Sequence, residues 1–237
     1  MEASYELSFV FVSLRSIFQA LPVTLMLTFF PLLSGFLFGI PFAVIRRFRV
    51  KFAAAFLTYL SAVIKGIPAV LLVLMTNYLV LKPIDYLAQT CAFFRPLQQM
   101  NKIYIGIAAL SVYAVVQVTE TMVSALQSVD EGQYEAAYSI GMTKSAALRR
   151  IVFPQAFPMA LPMLCNNVIG LFKTTSIVYL ISVNDILGAA MNSAAVNFRY
   201  LEAYIAAAIV YWGICAALEW FFGRLERRFR RASGGAA

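Results

Sequence analysis

The sequence predicts an all-α, polytopic integral membrane protein of about five transmembrane helices, with its N-terminus outside and its C-terminus inside. Three observations carry that expectation. Of 237 residues, 62% are hydrophobic and 13% are charged, about half the charged share of a soluble globular domain. Five mostly apolar stretches reach the roughly 20 residues that a helix needs to cross a hydrocarbon core. The basic residues that produce the net charge of +8 fall unevenly between those stretches.

The composition also excludes several classes of function. There is no histidine, which removes His-based triads, His general bases and His-ligated metal sites. No catalytic residue and no metal ligand set is expected. The three cysteines, Cys91, Cys165 and Cys215, are odd in number and widely spaced, a pattern of packed thiols rather than a disulfide framework. The apolar excess makes basic loops beside a membrane a better explanation of the charge than nucleic acid.

The first expected span covers about residues 18–45 and holds Pro22, Pro31 and Pro41, with Gly35 and Gly39 spaced for close helix packing. The second, 52–81, is interrupted by Lys65 just before Gly66 and Pro68, which break a helix. The third, 103–129, is interrupted by Glu120. The fourth, 155–180, holds Lys173 near its end, and the fifth, 203–223, contains one acid, Glu219. Together these spans make residues 1–237 a single transmembrane domain.

Orientation follows from the loops. Placing the N-terminus outside puts twelve basic residues inside: Arg46, Arg47, Arg49, Lys51, Lys144, Arg149, Arg150 and the five arginines from Arg224 to Arg231. Five lie outside: Arg15, Lys82, Arg95, Lys102 and Arg199. The opening MEASYEL has no basic n-region, so no cleaved signal peptide is expected. The terminal Gly-Gly-Ala-Ala reads as a frayed tail, and the basic run before it as an anchor to anionic lipid headgroups.

The longest inner loop, about 130–153, has a helical composition. Gln133 to Ile140 forms helix readily, Gly141 stops it, and Thr143 caps a second short helix. Ala136 and Ala137 give the first helix a small-residue patch with Glu135 beside it. The residues alone fit either a docking surface or a connector lying on the headgroups.

Glu135-Ala136-Ala137, Gly141 after three residues, Ile151 after nine more and Pro154 three beyond it resemble the EAA motif of membrane subunits of ATP-binding-cassette importers, with Phe153 in place of the usual Leu. Lys65-Gly66-Ile67-Pro68 resembles the RGTP element of the polar amino-acid permeases. The stretches TETMVSALQSVDEGQ, PQAFPMALPMLCNNVIGLFKTTSI and SVNDIL are similar to the same subfamily. The resemblance implies a type I ABC importer permease fold in the cytoplasmic, or inner, membrane of a prokaryote. It implies import of polar amino acids or a related small solute, with Glu135, Ala136, Ala137, Gly141, Ile151 and Pro154 coupling the permease to an ATPase. The implied partners are a cytoplasmic ABC ATPase dimer, a second permease subunit, an extracytoplasmic amino-acid-binding protein and membrane lipid.

The chain has no Walker-A pattern, since Gly141-Met142-Thr143-Lys144-Ser145 lacks its spacing. ATP and magnesium therefore belong to the partner ATPase, and no cofactor is expected in this chain. Lys65, Glu120 and Lys173 lie within spans, where a charge costs roughly 2.5–3.5 kcal/mol. They are candidates for a substrate pathway or gate, together with Thr174 beside Lys173 and Asn166 two turns before it. The alternative roles are interhelical pairing of Glu120 with a lysine, or lysines that snorkel to the interface. A self-contained secondary transporter or channel is the alternative function, and the 135–154 element distinguishes it, because such a protein has no use for an ATPase-docking loop.

Overall fold

The computed structural model describes residues 7–90 and 100–232. Cys91, Arg95, the first six residues and the Gly-Gly-Ala-Ala tail lie outside the described residues. Among those described, every regular element is helical and five helices are long and apolar enough to cross a membrane.

Helix α1 runs over Leu7–Arg47 and keeps Pro22, Pro31 and Pro41 within it. Its 41 residues extend on the order of 60 Å, twice a hydrocarbon core. It packs along α4, Ile103–Ser128, at a register that glycines record. A Cβ at Gly35 would lie 3.1 Å from the Ala114 carbonyl oxygen, one at Gly39 would lie 3.0 Å from Val118 Cβ, and one at Gly106 would lie 3.1 Å from Leu27 Cδ2. All three pairs are 79 positions apart in the sequence. A constant offset means that α1 and α4 run parallel, so the chain between them must return across the membrane once.

That return is not one rod. The stretch expected as a single span, 52–81, is two helices, α2 at Ala53–Gly66 and α3 at Ala69–Thr90. Pro68 has no N–H to donate and forces the residue before it out of the helical region. Ile67 accordingly has φ −93° and ψ 123°. The 14-residue α2 is too short to span alone.

After α4 come the inner-loop helices, α5 at Glu131–Ser139 and α6 at Lys144–Ala147, and a π-helical turn at Leu148–Val152 leads directly into α7 at Phe153–Thr174. The fourth helical rod thus begins at Lys144, well before the apolar run that marks it in the sequence. A 3-10 helix, Thr175–Ile181, closes its outer end at Ser182, whose φ is +64°.

Helix α8, Ile186–Ala194, is too short to cross and α9, Tyr200–Ala232, forms the last span. Asp185 caps α8 by accepting from the Gly188 N–H at 2.8 Å, and the Tyr211 hydroxyl of α9 donates to its other oxygen at 3.2 Å. The Ile186 N–H donates to Thr24 Oγ1 of α1 at 3.1 Å, and Ser13 and Ser193 share a hydrogen bond of 3.0 Å. Ile186, Ala190, Met191 and Ala194 pack with Ile17, Ala203 and Ala207 in one core cluster. Much of the segment between the fourth and fifth expected spans, 184–202, is therefore interior, and Asn184, Asn192 and residues 195–198, 200 and 201 are what it exposes.

A side chain at Gly39 has no room, because its nearest neighbours are the Val115 backbone and the packed Val118 side chain, each at 3.0 Å. Gly39→Leu should lower the unfolding midpoint of the detergent-solubilised chain, equivalent to about 1–3 kcal/mol. Gly213→Leu, where nothing lies within 4 Å, should change it far less.

Burial pushes the Asp185 carboxyl up to about 6, against the bonds from Gly188 and Tyr211 that favour its charged form. A folded-state value above the unfolded one means that the fold holds the proton more tightly. Stability should then fall by about 2–3 kcal/mol as pH rises from about 4 through about 6, and level off above. Asp185→Asn keeps a capping oxygen and should flatten that slope in thermal unfolding at pH 4.5, 6 and 7.5.

Candidate functional site

Two clusters concentrate the polar chemistry of the inner half. The first is the loop pair α5–α6. Asp130 caps α5 by accepting from the Gly132 N–H at 2.6 Å. The helix ends in a Schellman turn: the Gly141 N–H donates to the Tyr138 carbonyl at 2.9 Å and the Met142 N–H to the Ala137 carbonyl at 3.0 Å. Gly141 has φ +80° and open space around it, so glycine is required there by backbone conformation and not by crowding. Thr143 then caps α6 by accepting from the Ala146 N–H at 3.3 Å.

Tyr134 and Ala137 form the buried side of α5, while Glu135 and Ala136 are exposed together on its free side. The small-residue patch foreseen in the sequence is thus divided, with Ala136 outward and Ala137 inward. Ile151 is half-buried in the π-helical turn and Pro154 is exposed as the second residue of α7. The inner side of α5 rests on the end of α1. Arg47 lies over the Tyr134 ring at 5.0 Å, its Nη2 is 3.6 Å from Glu131 Oε1, and Phe48 meets Tyr134 edge-on at 6.3 Å between centroids. Burial raises the Tyr134 hydroxyl above its ordinary range and Arg47 opposes the rise.

The second cluster is a recess of about 510 Å³ between α4 and α7. Lys65, Gln117, Glu120, Thr121, Ser124 and Ser128 line it from one side, and Met159, Met163 and Asn167 from the other. Lys65 Nζ donates to Glu120 Oε2 at 3.1 Å, and Arg46 Nη1 donates to Glu120 Oε1. Asn167 Nδ2 donates to Thr121 Oγ1 at 2.9 Å, joining α7 to α4. One carboxylate thus answers two cations, leaving the triad a single net positive charge. Lys65 is the exposed member, at 52% of its side chain against 27% for Glu120 and 13% for Arg46.

The structure brings Lys65 and Glu120 together and leaves the other candidates apart. Lys173 is exposed near the outer end of α7 and does not line the recess. The Thr174 hydroxyl donates to the Gly170 carbonyl at 2.8 Å in its own helix. Asn166 is exposed, and its neighbour Asn167 is the residue that faces α4. Glu120 pairs with a lysine of another helix, Lys65 of α2, as the interhelical-pairing alternative expected, and an unforeseen arginine joins it.

Sequence reasoning missed Arg46, which it counted as a loop charge, and the hydroxyl and amide groups of α4. The second omission had a signal. Gln117, Glu120, Thr121, Ser124 and Ser128 recur at three- and four-residue steps along an otherwise apolar helix, which places them on one face. Among the described residues, no group of three or more Cys, Asp and Glu side chains could hold a metal ion.

Residues 35–231 match the family described as binding-protein-dependent transport system inner membrane component. The L-cystine transport system permease protein TcyL of Bacillus subtilis (strain 168) is 30% identical over 231 residues, spanning 98% of this chain and 94% of its own length. The probable amino-acid permease protein YxeN of the same organism is 31% identical over 217 residues, spanning 92% and 91%. Among solved structures, a chain from the crystal structure of an amino acid ABC transporter with histidines superimposes with a TM-score of 0.81 at 28% identity, over 95% of this chain and 99% of that one.

Proposed function

The chain belongs to the family of binding-protein-dependent transport system inner membrane components, and from that membership we propose that it is the permease of an amino-acid importer whose solute passes along the Lys65–Glu120 recess. The observation that carries the route is the recess itself: an ion triad centred on Glu120 of the third span, with one half-exposed cation, beside a stripe of hydroxyl and amide groups. Buried charge within a span is costly, and here it is kept satisfied while one ammonium group stays accessible. Lys65 can exchange Glu120 for a solute carboxylate, because Glu120 keeps Arg46 when it does so. The amides of Gln117 and Asn167 offer both donors and acceptors to the polar remainder of an amino acid.

Energy comes from a separate ATPase subunit. Glu135 and Ala136 on the free face of α5, the Gly141 turn and the Ile151–Pro154 junction form the surface that docks it. The recess is open on one side, where Met159 and Met163 stand exposed. A second permease subunit closes it, so that the path lies between two chains. On the outer side, Asn184, Asn192 and Ser182 border a recess of about 600 Å³ together with Ser16, Gln19 and Asn101. This neutral polar rim receives the solute-binding protein.

The reading is tested with the tagged chain solubilised from its native host and reconstituted with the proteins that accompany it. An ATPase should copurify, and a panel of radiolabelled polar amino acids should identify one taken up only with ATP. Uptake driven by an ion gradient in the absence of an ATPase would overturn it. In the same vesicles, Lys65→Gln should raise the KM for uptake about tenfold or more, the loss expected of one charged contact, with little change in the amount of folded complex. A parallel fall in complex abundance would return Lys65 to a structural role.

Gly141→Val should insert and fold, since space around Gly141 is open, yet hold the loop in a strained turn costing about 1–2 kcal/mol. Copurification of the ATPase should drop while the permease remains in the membrane, as measured by quantifying both subunits after affinity purification.

A further inference from the structure

Arg46 and Arg47 end α1 with two consecutive guanidinium groups that grip different elements. Successive residues of a helix point about 100° apart, so the pair reaches two directions from a single turn. Arg47 holds Tyr134 and Glu131 of α5. Arg46 holds Glu120 within the span of α4, and Glu120 in turn holds Lys65 at the last turn of α2, next to the break at Ile67–Pro68.

Orientation alone does not account for these two residues. A charge that only orients a span belongs in the headgroups, as Arg49 and Lys51 do, both exposed in the turn between α1 and α2. Arg46 and Arg47 keep only 13% and 20% of their side chains exposed. The 79-residue register between α1 and α4 sets Arg46 level with Ala125, so Glu120 lies five residues toward the outer side. Arg46 therefore extends into the span, opposite to the direction in which a basic side chain snorkels. The last turn between its two arms is continuous helix, with the Phe48 N–H donating to the Val44 carbonyl at 3.0 Å.

We propose that Arg46 and Arg47 form a two-armed lever that carries displacement of α5 to the Lys65–Glu120 contact at the α2–α3 break, making both of them positioning residues for transport. When the loop pair moves with the ATPase, Arg47 moves the end of α1, Arg46 shifts or releases Glu120, and Lys65 is freed or held accordingly. This rests on the reading of α5 as the ATPase-docking surface and of Lys65 as part of the solute route. A parallel connection exists through the chain itself, because α4 continues into α5 through Val129 and Asp130. The two connections are separable, since substituting Arg47 leaves the chain connection intact.

The test uses the complete transporter in vesicles and the radiolabelled amino acid that the unaltered complex takes up. The measured quantity is uptake per ATP hydrolysed, together with the amount of ATPase bound. Arg47→Met, which keeps an aliphatic stem over Tyr134, and Glu120→Gln should each lower the ratio at least about fivefold, the lower end for coupling between sites, with the ATPase still bound. Because the two lie in series, the double variant should be no worse than either single one. Arg49→Met should match the unaltered protein. If Arg47→Met does not fold, Arg47→Lys carries the test, since it keeps the charge but loses the flat guanidinium over the ring and should lower the ratio in part. An unchanged ratio in Arg47→Met or Arg47→Lys, or losses that multiply in the double variant, would overturn the lever. Absence of ATP-driven uptake by the unaltered complex would instead overturn the permease reading on which it rests.

Discussion

The parallel contact between α1 and α4 is the constraint on which the other elements depend. In lipid, two helices gain nothing from hiding apolar surface from each other's surroundings, so their association rests on how closely the backbones approach. Gly35 and Gly39 on one helix and Gly106 on the other permit that approach at three levels with a single register. The register brings the inner end of α1 within reach of Glu120. The same contact builds two of the three core clusters, one toward the inner loop and one toward α3 and the 3-10 helix. The third cluster, at the outer end, uses the remaining length of α1 to hold α8 and α9.

Charge within the spans follows the same economy. Glu120 is placed where two cations from different helices converge on its two oxygens, so that its carboxylate does not face lipid unpaired. An arrangement of this kind ties α1, α2 and α4 together through one side chain. It also makes their relative positions sensitive to anything that competes for that side chain. The inner end of the molecule therefore combines a rigid helix pair with an ionic contact that can be exchanged.

Much of this was legible in the residues. Span number, the inner loop with its two capped helices, and the placement of Glu120 within a span follow from apolar length, cap chemistry and isolated charge. Other features were not legible, for physical reasons. Hydropathy averages over a window, so it ran through the break at Ile67–Pro68, although Pro68 itself announced it. Apolar length also located the outer segment 184–202 between spans without revealing that Asp185 turns α8 back into the protein, because burial of a short alanine-rich helix depends on partners far away in sequence. Counting basic residues treated Arg46 and Arg47 as equal to Arg49 and Lys51. Only the register of α1 against α4 separates the two that grip from the two that face water.

The loop pair α5–α6 is shaped entirely by groups on its own backbone and inner side: the Asp130 and Thr143 caps, the two hydrogen bonds around Gly141, and Tyr134 with Ala137 beneath. Glu135 and Ala136, exposed on the free face of α5, are not among them. Those two side chains are consequently at liberty to diverge without altering the shape that presents them. Under the docking role proposed for the loop pair, substitution at these positions retunes which cytoplasmic partner is accepted, so that one engine is shared among several membrane subunits or reserved for a single one.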